Sequence, residues 1–167
     1  MANIFKQAAA RAKQFVKDTK KTLKATKKDI IKSFRRKYTG KKQPKNFLPG
    51  KMITFHYNAL DDTKRFDKNP LVMSLGLARD NKKHFYGINL HHMPKSKRIL
   101  LASLLTEMLE RKGGELDYDD VKPLLKKFEK SPILRRYAIR RVSQKVIEMP
   151  EDVYLRAASF DFADWSN

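Results

Sequence analysis

The side chains most densely set for chemistry in this chain are cationic. Lys and Arg fill 16 of the first 45 positions, where Asp18 and Asp29 are the only acids, so this segment carries +14 of a formal net charge of +20. Residues of this type at this density hold phosphate, because they raise the local potential and displace the counterions condensed on a polyanion. The candidates are Lys20, Lys21, Lys24, Lys27, Lys28, Lys32, Arg35, Arg36 and Lys37. Lysine acts as a flexible point charge, so contacts of this kind fix position on a backbone without reading bases. A second cluster, Arg135, Arg136, Arg140, Arg141 and Lys145, extends the same surface, and on a helix Arg136 and Arg140 share a face. The expected partner is double-stranded DNA bound without regard to sequence.

Other chemistries find less support. His91 and His92, with His56, His84 and the acids Asp61, Asp62 and Asp67, have the ligand types of a metal site, but adjacent strand residues point to opposite faces and cannot both reach one ion. Asp67 reads as the acceptor of an Asx turn ahead of Pro70, and Asn89 as a partner for exposed backbone. Glu115, Asp117, Asp119 and Asp120 read as the start of a helix, capped by Asp117 or Asp119. There is no cysteine and no glycine-rich phosphate loop. No catalytic residue, metal or cofactor is expected, and the chain reads as a non-enzymatic protein.

These residues need elements to hold them. Phe5, Ala9, Ala12, Val16, Thr19, Leu23, Thr26, Ile30 and Phe34 recur in steps of three and four, the stripe of an amphipathic helix. Continuous over residues 3–37, it would be about 50 Å long. Three readings of this arm stand. Its lysines lie on DNA, or Val16, Leu23, Ile30 and Phe34 dock in a groove on another protein or copy, or the segment is a solvated, partly disordered tail because like charges at i and i+4 destabilise an isolated helix. Residues 1–39 are thus expected to form a basic helical arm and residues 40–50, with Gly40, Pro44, Pro49 and Gly50, a linker. An α+β domain follows over 51–159, and 160–167 form an acidic aromatic tail whose Phe160, Phe162 and Trp165 are further partner-binding candidates.

Within the domain, Ile53, Phe55 and Tyr57 share one face of a first strand, and 71–77 and 86–91 form a hairpin. Gly76 and Gly87 mark bends of the kind that curl a small antiparallel sheet into a partly open β-barrel. Helices are expected after Pro94, ending at Gly113–Gly114, after Asp117, and as a short third one after Pro132. Lys145–Met149 closes the sheet, and Glu151–Ala158 adds a helical turn. No run of about 18 apolar residues occurs, and the arm has Ala and Thr where membrane insertion favours Leu and Trp, so no membrane partner is expected.

Three segments carry a resemblance. Pro49-Gly50-Lys51-Met52-Ile53-Thr54-Phe55-His56-Tyr57, Phe66-Asp67-Lys68-Asn69-Pro70-Leu71-Val72 and Tyr86-Gly87-Ile88-Asn89-Leu90-His91-His92-Met93-Pro94 resemble, over about residues 49–110, small tailed-bacteriophage virion proteins of the DNA end protector type. The resemblance implies a neck-associated protein that covers packaged DNA termini, binds rather than turns over, and sits among other virion proteins as part of an oligomeric assembly. It would be found in the phage particle, and in the host cytoplasm during assembly. The alternative is a purely structural head-tail, tail or baseplate adaptor whose arm and C-terminal tail bind protein.

Overall fold

Alternation of apolar side chains builds a sheet with two buried faces. In the computed structural model, which describes residues 2–22, 39–59 and 67–159, strand β2 (Met52–Tyr57) turns Met52 to one side and Ile53, Phe55 and Tyr57 to the other. Strand β3 (Leu71–Leu77) sends Leu71, Met73 and Leu75 to the first side and Val72 to the second. With β1 (Thr39–Lys41), β4 (His84–Asn89), β5 (Leu134–Ala138) and β6 (Val142–Met149), they form a six-stranded antiparallel sheet in the order β1-β6-β2-β3-β4-β5. The fold is α+β.

One face is covered by helices. Helix α1 (Ala2–Thr22) and the short α4 (Tyr154–Ser159) both pack on α2 (Lys95–Arg111), and α3 (Tyr118–Phe128) contributes Val121 and Leu124 to the same core. α2 starts after Pro94 and ends before Gly113 and Gly114, both at positive φ. Asp117 caps α3: its Oδ1 accepts from the backbone of Asp119 at 2.8 Å and of Asp120 at 3.0 Å.

The other face holds aromatic rings and shows how strongly the sheet is bent. β3 and β4 lie between β2 and β5, which in a flat sheet would hold them about 14 Å apart. Yet the rings of Tyr57 and Tyr137 are 5.2 Å apart, and Tyr57 Oη accepts from Ala138 N at 3.3 Å. Residues 139–141 alone join β5, at one edge, to β6 on the far side of β2. The register shifts between Ser74 and Gly76 supply part of the bend, with Gly76 at φ +97°, and so do those between Phe55 and Tyr57. Among the described residues the sheet is rolled but keeps two edges, β1 and β5, so the expected partly open barrel is an open roll, with no ladder closing it.

Three further expectations are corrected. Residues 40–50 do not simply link: β1 pairs with β6, and the 3-10 turn Pro44–Phe47 buries Phe47 completely against Phe85, with ring centroids at 4.6 Å. The chain after Pro132 forms β5, not a helix, because β4 offers an unpaired edge that a five-residue segment fills by hydrogen bonds. The arm is not free from its first residue. Ala8 is fully buried and Ile4 packs against the helical core, so α1 turns inward along a line beside the expected stripe, leaving Phe5 and Val16 exposed. Arg11 fixes this docking, its Nε 3.1 Å from Glu107 and its Nη1 and Nη2 donating to Glu110 at 3.1 and 2.9 Å.

Candidate nucleic-acid interface

The basic arm meets the sheet at its edge strand. From β1, Lys41 lies directly opposite Lys145 of β6, both exposed. Like charges facing across a ladder are unfavourable in water and become favourable when an anion lies over them. Lys42 follows, extending the ladder through its N–H to Gln144 O at 2.6 Å. Its Nζ donates to the carbonyls of Ile139 at 3.1 Å and Val142 at 2.8 Å, which pins one cation to the turn joining β5 and β6.

A cleft of about 430 Å³ opens beside that pinned lysine. Lys42, Gln43 and Pro44 form one wall, Leu77, Lys82 and Lys83 another, and Ile139 and Arg140 a third, over a floor that includes Phe47. Among the described residues all four charged side chains lining it are cationic, and no carboxylate lines it. The acid nearest in sequence to the two lysines, Asp80, is engaged elsewhere, accepting from Arg136 Nη2 at 2.7 Å.

The expected phosphate contacts divide accordingly. Arg140 is exposed and lines the cleft, whereas Arg136 sits on β5 in an ion pair with Asp80, its guanidinium 5.9 Å from the Tyr86 ring. The two do not share a helix face, since β5 and a 3-10 turn carry them. Lys20 and Lys21 fall in the last turns of α1. Lys24, Lys27, Lys28, Lys32, Arg35, Arg36 and Lys37 lie outside the described residues. Among the docking candidates Val16 is exposed on α1, while Leu23, Ile30, Phe34, Phe160, Phe162 and Trp165 lie outside the described residues. Sequence reasoning missed Lys42, which falls in the expected linker, and Lys82 and Lys83, which fall between the two strands of the expected hairpin.

The histidine cluster is a latch. Asp67 Oδ2 accepts from Asn89 Nδ2 at 2.8 Å and lies 3.3 Å from His91 Nδ1 and 3.7 Å from His92 Nε2. His91 Nε2 in turn accepts from Leu71 N at 3.2 Å, and Asn89 Oδ1 accepts from His91 N at 3.0 Å. The His91 lone pair is therefore occupied by backbone, which fits positioning rather than proton transfer. The hydrogen bond from His91 holds the Asp67 carboxyl below its ordinary pKa, aided by Asn89 and opposed by partial burial. The group ties the chain ahead of β3 to the turn after β4.

The profile of the family described as phage T4 terminal DNA protecting protein matches residues 1–115. The chain belongs to that family. The match takes in the basic arm, β1 to β4 and α2, and extends the resemblance well beyond residues 49–110. It stops before α3, β5 and β6, so Arg140 and the partner strand of β1 lie outside it. No curated protein and no solved structure matches the chain. Membership in this phage DNA-end-protecting family assigns the protein to the virion or the infected cell and associates it with DNA ends.

Proposed function

We propose that this protein is a non-enzymatic component of the phage neck that covers packaged DNA ends. Its arm lies on duplex phosphates without sequence preference, and neighbouring virion subunits hold it in place within a larger assembly. The observation that carries this reading is the continuity of charge. In sequence the arm runs into β1, where Lys41 faces Lys145, and among the described residues Lys42, Lys82, Lys83 and Arg140 line the adjoining cleft with no carboxylate beside them. Phosphate contacts of this kind position a protein on DNA without reading its bases.

The test is binding of the full chain to linear duplex across a salt series, together with protection of that duplex from an exonuclease. Wild type should bind arbitrary sequences with a steep negative slope of log affinity against log salt. Replacing Lys24, Lys27, Lys28 and Lys32 by Gln, which spares the buried face of α1, should flatten that slope by up to about 3.5, near 0.9 per lost phosphate contact. Salt-insensitive binding, or failure to slow the exonuclease, would overturn the reading. A second reading, the protein-docking adaptor, is favoured by an apolar groove of about 370 Å³ between α1, α2 and α3, walled by Ile4, Phe5, Met108 and Leu124. It requires negligible affinity for free DNA together with loss of particle assembly in a Phe5→Asp variant.

A further inference from the structure

An arm that binds phosphates has no means of telling a DNA end from the middle of a duplex, because the backbone charge it meets is the same at both. What only an end offers is a terminal nucleotide, which stacks on one side alone, and a terminal phosphate monoester, which carries more charge than a diester. Recognition of an end therefore calls for a pocket of nucleotide size with an apolar surface for base or sugar and fixed cations for the phosphate. The cleft beside β1 has that composition.

Its volume, about 430 Å³, falls in the usual range of small-ligand sites, roughly 300–1,000 Å³. Pro44, Leu77 and Ile139 give it apolar walls, and the floor does not yield, since Phe47 is fully buried and its ring packs on Phe85. Lys82 and Lys83 come from the turn between β3 and β4, Arg140 from the turn between β5 and β6, and Lys42 from the chain leaving β1, so cations approach from three directions. Lys42 is held in place by two carbonyls, and a positioned ammonium loses little freedom when it meets an anion. Arginine adds a planar fork able to grip two phosphate oxygens at once. Among the described residues no carboxylate lines the cleft to offset that charge.

We propose that this cleft seats the terminal nucleotide of a DNA end, with its phosphate monoester among Lys42, Lys82, Lys83 and Arg140 and its base or sugar against Pro44, Leu77 and Ile139. The inference rests on the DNA-binding reading above and adds a division of labour. The arm supplies affinity for duplex, and the cleft supplies preference for ends.

The experiment compares four labelled duplexes of one sequence with the full-length protein at fixed salt: 5′-phosphorylated, 3′-phosphorylated, hydroxyl-ended, and closed at both ends by hairpin loops. Wild type should bind at least one phosphorylated form about tenfold more tightly than the loop-closed form, and the two phosphorylated arms identify which strand enters. Lys82→Ala/Lys83→Ala/Arg140→Ala, all three exposed and therefore tolerable to the fold, should lose that preference and bind all four duplexes with one affinity, lower than that of wild type. The four arm glutamines should weaken all four duplexes alike and keep the ratio. Unchanged end preference in the triple variant, or equal binding of hydroxyl and phosphate ends by wild type, would overturn the proposal while leaving the DNA-binding reading intact. Absence of salt-dependent binding to any duplex would overturn both.

Discussion

Replacing Gly87 by Ala tests the packing of the roll, because β4 approaches β3 there more closely than any side chain allows. A Cβ at position 87 would stand 2.3 Å from Val72 Cγ1 and 3.3 Å from Met73 O. Carbon atoms prefer about 3.5–4.0 Å. Val72 is fully buried among the aromatic rings and β-branched, so it has no free rotamer into which to swing. The strands would have to part while hydrogen-bonded, which puts the strain near the upper end of the overpacking range, about 3 kcal/mol. The lost flexibility of the unfolded chain offsets about 0.4–1 kcal/mol. A net destabilisation of about 2 kcal/mol is expected, a fall in Tm of about 4–8 °C for a chain of this size.

Val72→Ala alone should cost about 2 kcal/mol, from two methyl groups and part of the cavity they leave. In the double variant the new methyl occupies the space that Cγ1 vacated, so the pair should be no less stable than Val72→Ala, giving a coupling of about 2 kcal/mol. Urea unfolding read from the midpoint at constant m measures all three. Additive losses in the double variant, or an unchanged midpoint for Gly87→Ala, would refute the close approach.

Two other expectations concern how the ends of the fold are tied down. Glu107→Ala/Glu110→Ala removes both partners of Arg11; because the pairs are partly exposed the cost should be about 1 kcal/mol, seen as roughly fivefold faster amide exchange in α1 with the sheet unchanged. Exchange that quickens equally everywhere would show that α1 is not separately docked. Asp67→Asn should destabilise by about 1 kcal/mol above pH 5. Since the folded carboxyl titrates below its unfolded value of about 3.9, wild type loses this contribution as pH falls, and the gap should close toward pH 3. A gap that stays constant to low pH would remove Asp67 from the account.

The parts of the fold set by local pattern were legible. Ile53, Phe55 and Tyr57 do share a face, Asp117 does cap a helix, and Gly113 and Gly114 do follow the end of α2, because alternation, capping oxygens and positive φ act within a few residues. What failed depends on distant partners. Ile133, Leu134 and Tyr137 fit a short helix as well as a strand, and only the unpaired edge of β4 decides between them. Ala8 is too small to announce a buried face, yet its size is what lets α1 approach α2 closely. The cleft was hidden for the same reason. Lys42, Lys82, Lys83 and Arg140 belong to three separate stretches that the roll brings together, and of these only Arg140 stood out as a phosphate contact in the sequence.

The pairing of β1 has a consequence for the order in which the protein becomes competent. Among the described residues β1 bonds to no strand but β6, one of the last elements made. At about 5–20 residues per second, a ribosome needs about 5–20 s to travel from one to the other. During that interval the emerging chain has its polycation but neither the ladder that anchors it nor the wall holding Arg140. A chain cut short before β6 keeps its cationic segment and lacks the partner strand of β1. Only with β6 in place are the ladder of β1 and the wall that carries Arg140 both complete.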